Sequence, residues 1–152
     1  MIGLLQRVTA ARVVVAQQTI AHIDHGLLVL VGIERSDAKP QADRLLHRLL
    51  AYRVFADTEG KMNLSLTDIQ GGLLLVPQFT LPADTRKGNR PSFTPAAPPH
   101  QGEKLFNYLC TQARMQYPKV AVGQFGAMMQ VSSTNDGPVT FWLRVNPLTS
   151  SD

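Results

Sequence analysis

The sequence has a single cysteine, Cys110, among its 152 residues, and it lacks any long hydrophobic run. One cysteine excludes an internal disulfide, and low cysteine usage is typical of a reducing compartment. No apolar stretch approaches the roughly 20 residues that a membrane-spanning helix needs, and the N-terminus lacks the layout of a signal peptide. These absences predict a cytoplasmic protein with no membrane partner.

Motifs for metals and nucleotide cofactors are also missing. The four histidines show no paired spacing on a helix, and one cysteine cannot build a zinc site, so no metal is expected. No glycine-rich loop of the Walker or Rossmann type joins a strand to a helix, so no cofactor is expected either. Cys110 falls on an apolar helical stripe, and we interpret it as a buried, unreactive thiol.

The overall composition is that of an ordinary globular protein. Hydrophobic residues make up 44% and charged residues 17%, with a formal net charge of +4. That charge permits a nucleic-acid partner without requiring one. The basic residues are scattered apart from Arg86, Lys87 and Arg90, which form either a solvated loop or a set of phosphate contacts. Composition alone favours the solvated loop.

Hydrophobic periodicity predicts a single α+β domain over residues 1–145, followed by a polar tail over 146–152. Alternation over 2–16 predicts a long strand, and the apolar run 27–33 predicts a strand covered on both faces. Further strands are expected over 19–23, 52–55, 72–76, 120–124, 128–133 and 139–145. Together they predict a mostly antiparallel, barrel-like sheet with two packed helices.

The two helices have clear apolar stripes. The first is expected to begin at Asp37 as its capping residue, with Pro40 in its first turn. Its stripe runs through Ala42, Leu45, Leu46, Leu49 and Leu50. The second follows a proline-rich loop, and its stripe runs through Leu105, Phe106, Leu109, Cys110 and Ala113. Both stripes are interpreted as core packing.

Two segments carry the candidate chemistry, because each lies where a strand ends and backbone groups lose their ladder partners. In the first segment, 77–81, Gln78 and the N–H groups of Phe79 and Thr80 are suited to holding a carbonyl or a developing oxyanion. A Thr80 nucleophile would need a base within hydrogen-bond reach, and only Asp84, after folding back, could supply one. The pattern therefore favours a threonine that satisfies a backbone group.

The second segment contains Gly137-Pro138 within 135–141. An Asn-Asp-Gly-Pro run between two strands is typical of a hairpin turn. The alternative is a cis Gly–Pro bond, which would turn two successive carbonyls to the same side and form an acceptor patch for an ammonium group. The sequence leaves both interpretations open.

Several motifs, together with their order and spacing, resemble one protein family. They are Gln6-Arg7-Val8, Gly60-Lys61-Met62-Asn63-Leu64, Gln78-Phe79-Thr80-Leu81, Arg90-Pro91-Ser92-Phe93, and Met129-Gln130-Val131 leading into Asn135 to Phe141. The chain resembles the D-aminoacyl-tRNA deacylases, also called D-tyrosyl-tRNA deacylases, from Met1 to about Val145. One departure is Pro77, where the family usually has serine; proline removes both a hydroxyl and a backbone N–H.

The resemblance implies a homodimeric editing hydrolase that needs no metal or cofactor. It would cleave the ester between a D-amino acid and the 3′-terminal adenosine of tRNA, rejecting L-aminoacyl-tRNA and admitting mischarged glycyl-tRNA. A cis Gly137-Pro138 element, braced by Arg7, would enter the partner subunit's pocket and hold the substrate α-amino group. The pocket itself would be lined by Gln78, Phe79, Thr80 and Met129.

In the family the attacking group is water or a ribose hydroxyl, with Thr80 as covalent nucleophile the older alternative. The residues that the resemblance makes catalytic are Gln78, Phe79 and Thr80, with Arg86, Lys87 and Arg90 as tRNA phosphate contacts. Pro77 motivates a different class of function, a non-catalytic RNA- or ligand-binding dimer on the same fold. Such a protein would bind D-aminoacyl-tRNA without cleaving it.

Overall fold

The computed structural model describes residues 1–147, and residues 148–152 of the predicted polar tail 146–152 lie outside the described residues. The strands are β1 (Ile2–Val15), β2 (Gln18–Ile23), β3 (Gly26–Gly32), β4 (Phe55–Ala56), β5 (Met62–Leu64), β6 (Gly72–Pro77), β7 (Val120–Val122) and β8 (Gln130–Arg144). The helices are α1 (Lys39–Ala51), α2 (Leu66–Ile69) and α3 (Pro99–Gln116). None of the helices in this part of the chain is long and apolar enough to cross a membrane.

The main sheet is mixed, which corrects the prediction of a mostly antiparallel sheet. β1 lies at its centre and pairs antiparallel with β2, β3 and β8, whereas β3, β6 and β7 run parallel to one another. Parallel neighbours need crossover connections, and the chain uses the segments that contain α1 and α3 for this purpose. β2 also contacts β6 and β7, so the sheet curves into a nearly closed, barrel-like layer.

The apolar stripes of the two long helices pack against the sheet, as predicted. Ala42, Leu45, Leu46 and Leu49 of α1 are buried, as are all five stripe residues of α3, and both helices join one core cluster with β3 and β6. A smaller cluster fills the other face of the sheet. The residues of β3 are therefore covered on both sides, which confirms the interpretation of its continuous apolar run.

The sequence predicted two helices, and the described residues contain a third, α2. It has only four residues, too few to show a 3.6-residue period. Its N-cap Ser65 accepts a hydrogen bond from the backbone N–H of Asp68 (3.2 Å), and the Asp68 carboxylate accepts one from the backbone N–H of Ser65 (2.8 Å). This reciprocal capping explains how so short a helix is held.

Asp37 does not cap α1, contrary to the prediction. The N-cap is Ala38, and the carboxylate of Asp37 instead accepts a hydrogen bond from the terminal ammonium group of Met1 (2.6 Å). The same ammonium group donates to the carbonyl of Val145 (2.8 Å) and lies 3.3 Å from the Glu34 carboxylate. The side chains of Met1 and Asp37 are both fully buried, so this ion pair is part of the interior.

The largest departure from the predicted strands is at the C-terminal end. The predicted strands 128–133 and 139–145 are one strand, β8, and both halves pair antiparallel with β1. Gln6 pairs with Thr140 and Val8 pairs with Asn135, so the four residues 136–139 protrude from the ladder between them. They form a bulged loop in a continuous strand, not the hairpin turn that Asn-Asp-Gly-Pro usually indicates.

The remaining boundaries differ by a few residues. The predicted strand 52–55 is the short β4, Phe55–Ala56, because α1 continues to Ala51, and the predicted strand 120–124 ends at Val122. The turn between β1 and β2 lies at Ala16 and Gln17, which both have positive φ.

Candidate active site

A cavity of about 810 Å³ opens beyond the carboxyl ends of the parallel strands β3, β6 and β7. Its walls are contributed by the end of β6, by the loop before α3 and by residues 125–129 after β7. Ligands in sheets with parallel strands bind outside this edge, because the connecting loops diverge there. The cavity contains Gln78, Phe79 and Met129, which are three of the residues predicted for the pocket.

Gln78 and Thr80 form one hydrogen-bonded unit at the mouth of this cavity. The backbone N–H of Gln78 donates to the carbonyl of Val31 (2.8 Å), which fixes the chain as it leaves β6. The side-chain amide of Gln78 donates to the Thr80 hydroxyl oxygen. Among residues 1–147, the backbone N–H groups of Phe79 and Thr80 have no acceptor, so two main-chain donors are available beside the cavity.

Thr80 has no general base within hydrogen-bond reach among residues 1–147, where its side chain bonds only to the neutral amide of Gln78. Asp84, the base considered from the sequence, accepts two hydrogen bonds from the Arg86 guanidinium (2.8 and 2.7 Å). These contacts lower the pKa of the Asp84 carboxyl to about 2, so the group is a very weak proton acceptor.

The three basic residues predicted as tRNA contacts lie together in an exposed loop, away from the cavity walls. Arg86 is committed to Asp84, and the same contact raises the pKa of its guanidinium. For Lys87 and Arg90 the described structure shows no ion pair.

Met129 and Pro77 shape the inner wall. The Met129 sulfur accepts a hydrogen bond from the backbone N–H of Gln124 (3.4 Å) and lies 3.0 Å from the position that a Cβ would occupy on Gly123. The Pro77 Cδ lies 3.3 Å from that same position. Proline at the end of β6 thus packs against the chain that leaves β7.

Two side chains hold the ends of the protruding loop 136–139. Arg7 donates from Nε to the carbonyl of Asp136 (2.9 Å) and from Nη1 to the carbonyl of Val54 (2.7 Å). The Asn135 amide accepts from the backbone N–H of Val139 (2.7 Å) and donates to the Thr140 hydroxyl (2.9 Å). The loop therefore has a fixed base, because its flanks are bonded to β1 and to each other.

The tip of this loop is Gly137-Pro138. The bond between the two residues is cis, and both residues are exposed. Within residues 1–147 neither residue has a ladder partner on β1, and no side chain donates to their carbonyl oxygens. Two main-chain acceptors therefore lie in the exposed tip of the loop.

Within one chain, the loop 136–139 is not part of the cavity wall. Arg7, which holds the loop, pairs with Leu27 near the start of β3, whereas the cavity opens beyond the end of that strand. The structure thus brings together Gln78, Phe79, Thr80 and Met129, and leaves Arg7, Gly137 and Pro138 apart from them.

Sequence reasoning missed several residues of the cavity. The most prominent are Arg35, which follows β3, and the aromatic side chains Phe93 and Phe125. Phe93 belongs to a motif that the resemblance contained, yet no role was assigned to it. The proline-rich segment contributes Pro98 before α3 and Pro99 at the start of α3, and its composition predicted only a connection.

Cys110 does not line this cavity, and its burial confirms the prediction made from its apolar stripe. It is buried in α3, and burial raises the pKa of its thiol to about 12. A protonated, inaccessible thiol is a poor nucleophile. Across the described chain, no group of three or more His, Cys, Asp or Glu side chains is arranged to hold a metal ion.

Comparison with known proteins finds similarity along almost the whole chain. The sequence matches the family described as D-Tyr-tRNA(Tyr) deacylase over residues 4–144. A protein of Nitrosococcus oceani named D-aminoacyl-tRNA deacylase is 65% identical over 147 residues, which cover 97% of this chain and 95% of the relative.

Two solved structures are similar as well. One, described as "c-Myc DNA Unwinding Element Binding Protein", matches with a TM-score of 0.92 and 39% identity, covering 97% of this chain and 100% of that one. The other, described as a probable eukaryotic D-amino acid tRNA deacylase, has a TM-score of 0.80 and 18% identity, covering 93% of this chain and 97% of that one. The second similarity is one of fold alone.

Proposed function

The chain belongs to the D-Tyr-tRNA(Tyr) deacylase family, and from this premise we propose that it hydrolyses the ester of D-aminoacyl-tRNA to free amino acid and tRNA. The reaction needs a pocket for the 3′-aminoacyl-adenosine end, a group that stabilises the tetrahedral oxyanion and a nucleophile. The cavity beyond β6 is large enough for a small-molecule moiety of this size. As an editing enzyme, the protein would remove D-amino acids before they enter translation.

One observation supports the chemistry most strongly: the two unpaired N–H groups of Phe79 and Thr80 beside the cavity. Such preorganised donors stabilise a developing oxyanion without reorganisation at the moment of reaction. Gln78 holds Thr80 in place through its side-chain amide. Since residues 1–147 offer Thr80 no base, we propose that the attacking group is water or a hydroxyl of the bound ribose.

Chiral selection is proposed to come from a second copy of the chain. Gly137 and Pro138 lie in an exposed loop with a bonded base, and they are not part of the cavity wall of their own chain. In a homodimer, the loop of one protomer would enter the cavity of its partner and bind the substrate α-ammonium group. Strand β8 supports such an interface, because the apolar side chains of Val131, Phe141 and Trp142 along it are exposed.

The same arrangement defines the acceptable side chain. Two carbonyls that fix the α-ammonium leave room for a substituent on one side of Cα only, so an L side chain would collide with the loop. Glycine has no side chain and would be admitted. Glycyl-tRNA mischarged on a non-cognate tRNA is therefore a proposed second substrate.

The direct test compares D-tyrosyl-tRNA with L-tyrosyl-tRNA. We expect rapid release of D-tyrosine, slow or no release of L-tyrosine, and cleavage of glycyl-tRNA, each followed as loss of acid-precipitable label. Equal rates on the D and L esters would contradict stereoselection. Absence of D-ester cleavage would contradict the proposed activity as a whole.

Replacing Thr80 with alanine should reduce turnover only modestly, within about tenfold, because the backbone N–H remains in place. A covalent nucleophile would instead cost several orders of magnitude in kcat. Single-turnover rates on D-tyrosyl-tRNA distinguish the two. Thr80→Val is the matched variant, since it keeps the side-chain shape and removes only the hydroxyl; a large loss in both variants would support the threonine mechanism.

Binding without turnover is the competing function. Two observations favour it: Pro77 stands where the family usually has serine, and the similar structure with the 0.92 TM-score is described as a DNA-binding protein. Under this alternative the chain would bind D-aminoacyl-tRNA and leave the ester intact during long incubation. Retained filter binding with no release of amino acid would establish it.

A further inference from the structure

The cavity has one charged side chain in its wall, Arg35, and the deacylation chemistry makes no use of it. Its position is fixed by three hydrogen bonds. The Arg35 backbone N–H donates to the carbonyl of Pro95 (3.2 Å), its Nε donates to the carbonyl of Thr94, and Gln101 donates to the Arg35 carbonyl (2.9 Å). The two terminal nitrogens have no partner among residues 1–147, so the guanidinium is held through Nε and its terminal nitrogens are available to a ligand beside the cavity.

The charge distribution of the substrate restricts what this guanidinium can bind. The aminoacyl group carries a cationic α-ammonium, which Arg35 would repel, and the ester, ribose and adenine are uncharged. The first anion along the chain is the phosphodiester that joins the terminal adenosine to the preceding nucleotide. A guanidinium pairs well with phosphate, since its planar fork matches two phosphate oxygens.

On the premise of the proposed function, we propose that Arg35 binds this last phosphodiester of the tRNA and so positions the ester over the N–H groups of Phe79 and Thr80. Arg35 is a positioning residue in this role, because it touches the substrate one linkage away from the reacting atoms. It would also make the cavity selective for an aminoacyl group attached to a nucleic acid over a free ester.

Two aromatic rings beside Arg35 fit the same occupant. Phe79 and Phe93 lie with their ring centroids 5.4 Å apart at an interplanar angle of 53°, and they remain 61% and 44% exposed. Unpaired bases stack on exposed aromatic rings, and sites for single strands combine such rings with cations. Phe93 directly precedes Thr94, to which Arg35 is bonded, so the base-stacking and phosphate-binding groups are held as one unit.

The test uses two substrates that differ in the phosphate: D-tyrosyl-tRNA and D-tyrosyl-adenosine, which has none. Arg35→Ala should lower kcat/KM for the tRNA ester about 10- to 100-fold, mainly through KM, as expected for loss of a charge-assisted hydrogen bond. The adenosine ester should be cleaved at the wild-type rate. Arg35→Lys, which keeps the charge, should recover part of the loss on tRNA.

Arg44→Ala is the matched control, because Arg44 lies on the exposed side of α1 and its removal changes the net charge equally. An unchanged KM for tRNA in Arg35→Ala, or an equal loss on both substrates, would overturn the phosphate assignment. The unfolding midpoints of both variants show whether either substitution destabilises the fold. Arg35→Gln provides a second variant, which removes the charge but keeps a polar side chain.

A binding measurement separates this proposal from the proposed function. The ligand is an RNA that ends in cytidine-cytidine-adenosine and carries no amino acid, so its binding requires no ester cleavage. Weaker binding by Arg35→Ala than by Arg44→Ala supports the contact even if the wild type cleaves nothing. Equal binding by the two variants overturns it even if the wild type is an active deacylase.

Discussion

Replacing Gly137 with alanine is expected to lower kcat/KM for D-aminoacyl-tRNA by on the order of 10²-fold, because displacement of positioning groups by about 1 Å carries a cost of that size. Gly137 has φ +142°, a region that L side chains rarely adopt. An added Cβ would lie 2.7 Å from the Val139 side chain, 3.0 Å from the Val139 nitrogen and 3.2 Å from the Arg7 guanidinium. The loop would have to shift, and its two carbonyls would shift with it.

The ratio of D to L rates distinguishes this prediction from a general loss of stability. We expect the ratio to change, since the same carbonyls position the α-ammonium and exclude the L side chain. Gly60→Ala is the matched control: Gly60 also has a positive φ (+79°), but nothing lies within 4 Å of its added Cβ. An unaltered rate and D/L ratio in Gly137→Ala would refute the role of the loop.

The secondary structure could be predicted where a local pattern reports it. The stripe from Ala42 to Leu49 and the long strand over 2–16 were each predicted from neighbours within a few residues, and the structure confirms both. Strand direction has no such local signal. The mixed sheet was therefore missed, because an apolar strand such as β6 shows the same pattern whether its neighbour runs parallel or antiparallel.

The protruding loop was missed for a related reason. Asn-Asp-Gly-Pro is typical of a turn, and the chain after it would normally reverse. Here both halves of β8 pair with the same long strand, β1, so the chain continues in one direction and residues 136–139 bulge outward. Whether this segment turns or bulges depends on which strand its two flanks pair with. The sequence of residues 135–141 carries no information about that pairing.

The candidate site was predicted in part. Gln78 and Thr80 could be predicted as candidate site residues, because they are polar residues directly after an apolar strand. Arg35 and Phe93 were not found, because they reach the cavity only when the crossover through α1 brings the end of β3 beside β6. β3 and β6 pair across 46 residues of sequence, as in Gly26 with Gly72, and such a long-range pairing leaves no periodic trace.

Replacing Asp37 with alanine is expected to lower the free energy of unfolding by about 3–5 kcal/mol, the usual cost of removing one partner from a buried ion pair. The Met1 ammonium would remain fully buried without its closest carboxylate, and the Glu34 backbone N–H would lose its acceptor, Asp37 Oδ2, at 2.7 Å. Urea unfolding followed by circular dichroism at fixed protein concentration measures the change.

The choice of variants separates loss of the charge from loss of the side chain. Asp37→Asn keeps an oxygen acceptor but removes the negative charge. Its free energy of unfolding should therefore lie between that of the wild type and that of Asp37→Ala. Asp24→Ala provides the control, because that carboxylate is 90% exposed and lies 3.5 Å from His22 in solvent, where ion pairs contribute little. If Asp37→Ala and Asp24→Ala unfolded at the same urea concentration, the buried ammonium would not depend on Asp37, and the N-terminal ion pair would have no structural role.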